Sequence, residues 1–173
     1  VEAQTLKKGK FAWVELKEVR AKLRHVLEAA SVIHQHGLVH RDLKPENILR
    51  TKDERIAICD FGLARDVTSP YATAATTMMT RAGTPAYAAP EQLTGDWKTN
   101  PWAVDVWAIG VMLVEVLSGQ LPSLDENGKL LNAEVECADA SEIAAEMWAI
   151  AQQALASSPA DRPALHAMLI NPV

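Results

Sequence analysis

The feature that most constrains the fold of this chain is a long apolar stretch, Trp102–Leu117. Its apolar residues would fall on nearly every side of a helix, and such a helix is stable only when other elements surround it. The stretch is short for a membrane span and contains Asp105 and Glu115, which disfavour a lipid environment. We therefore predict a buried central helix at 102–117, ended by the Ser118-Gly119 pair, and no membrane span.

Residues 15–36 form a second helical pattern, in which apolar side chains recur every three or four positions and lie on one stripe. Gly37 follows and can adopt the left-handed conformation that ends a helix. Towards the end of the chain, Ser141 can cap one further helix, and Pro163 suits the first turn of another. We therefore predict an amphipathic helix at 15–36 and terminal helices within 141–170.

Two short aliphatic runs, Ile48–Arg50 and Arg55–Cys59, are separated by polar residues and predict a small β-hairpin. Asp66–Arg81 is rich in threonine, alanine and serine without a sustained apolar period, which predicts a long exposed loop. The chain has 173 residues, of which 49% are hydrophobic and 23% charged, as expected of one globular domain. The predicted fold class is mainly α, of the α+β type, with one domain spanning 1–173.

Charge and cysteine content exclude several classes of partner and site. The net charge is −5 and no basic block is present, so a nucleic-acid partner is not expected. Cys59 and Cys137 are too few and too far apart for a disulfide framework or a zinc site, which favours a reducing compartment such as the cytoplasm. No secretory signal opens the sequence. Because the first residue is Val1 rather than methionine, we expect a piece of a longer protein.

The clearest chemical signal is the run His40-Arg41-Asp42-Leu43-Lys44-Pro45-Glu46-Asn47. It fills every fixed position of the kinase catalytic-loop pattern and lies between a predicted helix and a predicted strand, as that pattern requires. Asp60-Phe61-Gly62 follows the second strand, and Ala89-Pro90-Glu91 closes the threonine-rich loop. With these three motifs in this order, the chain resembles the eukaryotic-type serine/threonine protein kinase family over Leu16–Val173.

The resemblance implies a protein-kinase-like large helical lobe, in which a short β-hairpin carries the catalytic loop at 38–47 and the start of the activation segment at 60–91. The family's glycine-rich phosphate loop, its strand lysine and the glutamate that orients this lysine should all precede the first helix. None of the three is found in Val1–Glu15. The small β lobe is therefore expected to be absent, and a chain without it should bind ATP poorly.

The resemblance also assigns catalytic roles. Asp42 would accept or orient the proton of the substrate hydroxyl, and Lys44 would contact the transferred phosphate. Asn47 and Asp60 would hold the Mg²⁺ ions that bridge the phosphates of ATP. Leu49 would form the floor beneath the adenine ring, although ordinary strand packing explains it equally well. The residues expected on the nucleotide side are Lys44, Glu46, Asn47, Leu49 and Asp60.

Four residues are regulatory candidates by the same resemblance. Thr84 would pack beside the catalytic aspartate and lysine and favour serine or threonine as the acceptor. Arg41 and Arg65 would face the activation segment as a pair of basic groups. Thr80, three residues before Gly83, would be the activating phosphothreonine, because a phosphate there could bind both guanidinium groups.

Five residues are expected to support the site rather than to react. His40 would pack beneath Phe61, and Asp105 would tie the central helix to the backbone of the catalytic loop. Glu91 and Arg162 would form a buried ion pair.

Three functions remain open on these grounds. The first is an ATP- and Mg²⁺-dependent serine/threonine protein kinase that acts on a protein substrate and of which this chain is a fragment without the small lobe. The second is a non-catalytic kinase-like module that binds or regulates a partner. The third is a small-molecule phosphotransferase of the same broad fold, which is disfavoured because such enzymes lack the Ala89-Pro90-Glu91 arrangement.

Overall fold

A computed structural model describes residues 4–5, 16–68, 83–123 and 142–170 of the chain. These residues are mostly helical, and none of their helices is long and apolar enough to cross a membrane. The helices of the described part are α1 (Leu16–Gln35), α2 (Pro90–Thr94), α3 (Ala103–Ser118), α4 (Glu142–Ala154) and α5 (Leu165–Ile170). Its strands are β1 (Gln4–Thr5), β2 (Leu38–Val39), β3 (Ile48–Arg50), β4 (Ile56–Ile58) and β5 (Arg65–Asp66).

Helix α3 is the centre of the core. It runs one residue later at each end than the 102–117 expected from the apolar pattern, and every residue in it except Val116 and Ser118 is buried. Gly119 ends the helix at φ +72°, where its amide donates to the Glu115 carbonyl at 2.9 Å. A left-handed residue at this position is the common way for a helix to stop. The helix is thus enclosed by other elements along its whole length.

Helices α1, α4 and α5 contribute buried residues to the same core cluster as α3. Helix α1 covers 16–35, where the pattern predicted 15–36, and packs against α5 and β4, while α4 packs along α3. Gly37 follows α1 in the left-handed conformation, at φ +76°. The buried residues that these three helices contribute to the core are Val26, Leu27, Ala30, Met147, Ala151, Ala154, Leu165 and Met168.

The hairpin expected from the two aliphatic runs is present as β3 and β4, with Ile48 opposite Ile58 and Leu49 opposite Ala57. Strand β1 joins the same sheet by pairing antiparallel with β3. No sequence pattern predicted β1, because two residues held by backbone hydrogen bonds leave no side-chain period to detect.

A second sheet, of two strands, pairs the residues just before His40 with residues shortly after the Asp60-Phe61-Gly62 motif. Strand β2 pairs with β5, so that Leu38 lies opposite Asp66 and Val39 opposite Arg65. The Asp66–Arg81 segment was predicted as loop from its first residue, and β5 corrects that prediction at Asp66. The pairing therefore joins the first two residues of the 38–47 loop to the early part of the 60–91 activation segment.

The prediction that Pro163 lies in the first turn of the last helix was wrong. Helix α5 begins at Leu165, and the carbonyl of Ala164 accepts the first helical hydrogen bonds, from the amides of Ala167 and Met168. Pro163 therefore precedes the helix and fixes only the approach of the chain to it. Ser141, the other predicted helix start, lies outside the described residues.

Close contact between α3 and α4 depends on Gly110. A Cβ atom at this position would lie 2.9 Å from the Cβ of Ala154 and 2.9 Å from the Cγ of Leu155. The Cβ of Ala154 cannot rotate away, because it is fixed to the backbone of α4. The absent side chain at 110 is thus a packing requirement of the core.

We predict that Gly110→Ala lowers the free energy of unfolding by about 1–3 kcal/mol, the usual cost of overpacking a core. This loss should outweigh the gain of about 1 kcal/mol that alanine brings to a helix interior. Urea denaturation followed by circular dichroism measures the difference. A variant more stable than the parent would show that α3 and α4 separate easily at this point.

Candidate active site

The catalytic loop is fastened to the core by one buried carboxylate. The two oxygens of Asp105, which is 1% exposed, each accept a backbone amide at 2.8 Å: Oδ2 that of His40 and Oδ1 that of Arg41. Nε2 of His34 also lies 2.9 Å from Oδ2. The carboxylate therefore bridges α3, the end of α1 and the residues immediately before Asp42. His34 was not identified from the sequence, where a histidine at a helix end carries no specific signal.

Arg41 adopts an unusual conformation beside this anchor. Its φ is +70°, in the left-handed region that non-glycine residues rarely occupy. Its side chain is buried and stacks on the ring of Trp97, with Cζ 4.2 Å from the ring centroid. Burial, followed by the positive charge of Arg65, lowers the pKa of Arg41. The two basic groups predicted to face the activation segment are therefore near enough to repel each other.

The end of the activation segment comes close to the catalytic loop at Gly83. The carbonyl of Arg41 accepts a hydrogen bond from Nε2 of Gln92 at 2.7 Å. Gly83 lies against this pair at φ +113°, where a Cβ would be 2.7 Å from Nε2 of Gln92 and 2.8 Å from the Arg41 carbonyl oxygen. Only glycine fits this position without strain. Gln92, too, was not identified from the sequence.

Asp42 receives hydrogen bonds from three residues of the predicted site. Its Oδ2 accepts from Nζ of Lys44 at 2.8 Å, and its Oδ1 accepts from the amide and the hydroxyl of Thr84 at 2.7 and 2.9 Å. Lys44 also donates to the Thr84 hydroxyl at 2.7 Å. Nδ2 of Asn47 donates to the carbonyl of Asp42 at 2.8 Å and to its Oδ2 at 3.3 Å. These residues form a single hydrogen-bonded group.

This environment holds Asp42 in its charged form. Partial burial raises the pKa of the carboxyl, but hydrogen bonds from Lys44 and then Thr84, together with the charge of Lys44, lower it by more. The net result is a pKa below the ordinary value for aspartate. A carboxylate that stays ionised at neutral pH can accept a proton or hold a hydroxyl donor.

Asp60 lies next to this group but does not join its hydrogen bonds. The amide of Cys59 donates to the carbonyl of Asn47 at 2.9 Å, which brings the start of the Asp60-Phe61-Gly62 motif beside the catalytic loop. Asp60 is exposed at φ +63°, and its Oδ1 accepts a 3.4 Å hydrogen bond from the amide of Gly62.

The side chains of Asn47 and Asp60 carry oxygen atoms of the kind that a divalent cation prefers. Because Nδ2 of Asn47 faces Asp42, the carboxamide oxygen of Asn47 is left for another partner. With the Asp60 carboxylate it offers the oxygen chemistry that Mg²⁺ requires, the other ligands being waters and phosphates. Among the described residues, no three His, Cys, Asp or Glu side chains form a metal-binding cluster.

The other predicted site residues take no part in these hydrogen bonds where the structure describes them. The rings of His40 and Phe61 meet edge-on with centroids 5.0 Å apart, and Nε2 of His40 lies 2.9 Å from the Cys59 carbonyl. Leu49 is half-buried in the sheet, and Glu46 is exposed. Arg65 donates to the Ala64 carbonyl at 2.7 Å, and Thr80 lies outside the described residues.

Glu91 and Arg162 form the ion pair that was expected from the sequence. Nη2 of Arg162 donates to Oε2 of Glu91 at 3.0 Å, and Nη1 donates to the other carboxylate oxygen. Arg162 also donates to the carbonyls of Ala103 at 3.0 Å and Ala156 at 2.9 Å, and its Cζ lies 4.6 Å from the ring centroid of Trp107. The pair therefore joins the end of the activation segment to the core.

A second buried polar contact was not foreseen from the sequence. The hydroxyl of Tyr87 donates to Oε2 of Glu115 at 2.6 Å. Burial, and then the hydrogen bond to Glu115, raise the pKa of Tyr87. The contact fastens the segment after Thr84 to α3.

Comparison with known proteins identifies the family. Residues 3–173 match the protein kinase domain family, so the chain belongs to the protein kinases, of the eukaryotic serine/threonine type. It is similar to calcium/calmodulin-dependent protein kinase type 1 of Caenorhabditis briggsae, with 49% identity over 74 residues, which are 41% of this chain and 19% of that protein. It is also similar to maternal embryonic leucine zipper kinase of Xenopus laevis, with 37% identity over 114 residues, or 66% of this chain and 17% of the relative. The chain thus spans less than a fifth of either relative.

We predict that Thr84→Val raises the pKa of Asp42, because it removes a hydroxyl donor that favours the ionised carboxyl. Carbon-13 NMR titration of the Asp42 side chain measures the change. The stability contributed by this depressed pKa is present above the unfolded-state pKa of aspartate and is lost as the pH falls through the lower folded-state value. The variant should therefore lose it at higher pH than the parent. An unchanged titration would mean that the Thr84 hydroxyl does not act on the carboxylate in solution.

Proposed function

We propose that this chain is the large, carboxy-terminal lobe of an ATP-dependent serine/threonine protein kinase. In this proposal the chain is one partial kinase domain, and it transfers phosphate to serine or threonine hydroxyls of a protein substrate once a small lobe delivers the nucleotide. The observation that carries the proposal is the hydrogen-bonded group in which Lys44, Thr84 and Asn47 converge on Asp42. Phosphoryl transfer depends mainly on this kind of positioning and charge neutralisation.

Each residue of the group has a role that follows from its contacts. Asp42, ionised and fixed by two donors on one oxygen, would orient the hydroxyl of the substrate and take its proton. Lys44 lies between Asp42 and Thr84, where its charge would offset negative charge on the transferred phosphoryl group. Asn47 and Asp60 would hold Mg²⁺. When bound, MgATP supplies the phosphoryl group and a metal that neutralises its oxygens.

An aliphatic hydroxyl is the acceptor that this arrangement favours. The ammonium group of Lys44 and the hydroxyl of Thr84 lie immediately beside the Asp42 carboxylate. The space next to this carboxylate is therefore bordered by one ammonium and one hydroxyl group. This agrees with the resemblance to serine/threonine kinases in the Asp42-Leu43-Lys44 part of the loop.

The exposed apolar surface beside the site supports a small lobe as the partner of this chain. Phe61 is 46% exposed although it is a large apolar residue. Leu49, proposed to lie under the adenine ring, is only half-buried. Residues 1–15 contain no glycine-rich phosphate loop. We propose that a lobe of the parent polypeptide covers Phe61 and closes the nucleotide site.

The role of Asp42 is tested by Asp42→Asn in the full natural chain. We expect turnover to fall by about 10²-fold or more, because the amide cannot take the proton of the hydroxyl. Asp53→Asn is the matched control, since Asp53 lies on the exposed turn of the hairpin and pairs with Arg55. Turnover is measured with a serine- or threonine-containing protein substrate. Equal turnover in the two variants would contradict the assignment of Asp42.

Activation by phosphate at Thr80 is a separate prediction, which rests on the family resemblance and on the proximity of Arg41 to Arg65. A phosphate adds one to three charge-assisted hydrogen bonds to guanidinium groups, enough for about tenfold activation or more. Thr80→Ala should abolish the activation that accompanies phosphorylation, whereas Thr76→Ala should not. Mass spectrometry with activity assays provides the measurement. Full activity of protein unmodified at Thr80 would refute the switch.

A further inference from the structure

A cavity of about 330 Å³ lies on the side of the fold between the end of α1, the start of α3 and the start of α5. None of its lining residues belongs to the catalytic group around Asp42. Its apolar wall includes Trp102, Val106 and Leu165, and its polar wall includes Ser31, His34 and His166. A concave, mainly apolar site with a few polar groups is the usual form of a small-molecule pocket, and this volume is at the lower end of their range.

Ser31 provides an independent sign that the cavity takes a ligand. It is 7% exposed, and its hydroxyl has no hydrogen-bond partner in the described part of the chain. A buried hydroxyl left without a partner lacks the hydrogen bonds that it makes with water in the unfolded chain, and this destabilises the fold. A bound molecule that donates to this oxygen or accepts from it would remove that cost.

The charges around the cavity favour an uncharged ligand. Within the described ranges no carboxylate lines the cavity. The guanidinium group of Arg162 does line it, but this group is bound by Glu91. His34 lies 2.9 Å from the Asp105 carboxylate. The charge of Arg162 is thus already neutralised by Glu91, and no carboxylate among the described lining residues would attract an amine, which leaves little attraction for an acid or an amine.

The aromatic wall favours a planar ligand. The rings of His34 and Trp102 have centroids 4.9 Å apart and an interplanar angle of 54°. Tilted rings of this kind offer both a face and an edge to a third aromatic ring. The volume would accommodate one or two fused rings with a single polar substituent.

We propose that this cavity is a binding site for a neutral, planar aromatic molecule that makes a hydrogen bond with Ser31. His34 lines the cavity and also contacts Asp105, the carboxylate that holds the amides of His40 and Arg41. An occupant that contacts His34 is therefore connected to these amides through His34 and Asp105. Binding is therefore linked to the geometry of the catalytic loop. The site itself does not depend on the proposed kinase activity.

The experiment uses ¹⁵N-labelled full natural chain and 2-naphthol as the probe, with naphthalene as the probe that lacks the hydroxyl. We expect saturable shifts of the Trp102 indole resonance at about millimolar affinity, the usual strength for a ligand of this size. The amides of His40 and Arg41 should shift with the same saturation curve. The readout is binding alone, so its failure and the failure of the proposed function are distinguishable.

Two variants locate the site. Ala164 is an exposed alanine that lines the cavity, so Ala164→Trp should fill it and weaken binding at least about tenfold. Ala149→Trp is the matched control, because Ala149 is also an exposed alanine but lines the separate groove between α4 and α5. It should leave binding unchanged.

Ser31→Ala tests the hydrogen bond without endangering the fold, because it removes a buried hydroxyl that has no partner among the described residues. We expect it to weaken 2-naphthol about threefold to tenfold and to leave naphthalene unchanged. Absence of saturable binding, equal loss in the two tryptophan variants, or equal affinity of 2-naphthol for the parent and Ser31→Ala would overturn the proposed site. Binding at Trp102 without any change at His40 and Arg41 would overturn the link to the catalytic loop.

Discussion

The arrangement of the site depends on the buried carboxylate of Asp105. A charge that is 1% exposed is tolerable only because donors surround it, and here these are two backbone amides and an imidazole. Since the amides belong to the two residues before Asp42, the carboxylate fixes where the catalytic loop leaves the core. The left-handed backbone of Arg41 is held by the same contacts. Asp105 therefore determines the direction in which Asp42 is presented.

A second constraint comes from the activation segment. Its end contributes Thr84 to the group around Asp42, and Gly83 lets the chain approach the Arg41 carbonyl closely. Tyr87 then binds Glu115, and Glu91 binds Arg162, so the segment is fastened first to α3 and then to the residues that precede α5. The catalytic loop and the end of the activation segment are thus held as one unit.

How much could be predicted from the sequence depended on how a residue contributes. Helices α1 and α3 were found within one residue at each end, because their burial imposes a pattern on many side chains. The three motifs could be recognised because the protein kinase family restricts both their residue types and their spacing, whereas the catalytic roles of their residues stay predictions. His34, Gln92 and the β2–β5 pairing were not found, since each acts through one contact to backbone or to a distant carboxylate. Such contacts arise only when remote parts of the chain meet, and they leave no local signal.

Arg162 has a consequence for the motions of this part of the molecule. Its guanidinium group binds the Glu91 side chain and the carbonyls of Ala103 and Ala156, so one cation joins the start of α2, the start of α3 and the residues after α4. Opening any one of these stretches alone would take a hydrogen-bond acceptor away from the buried guanidinium group. Their amide hydrogens should therefore exchange with solvent in a shared subglobal opening rather than by separate fraying.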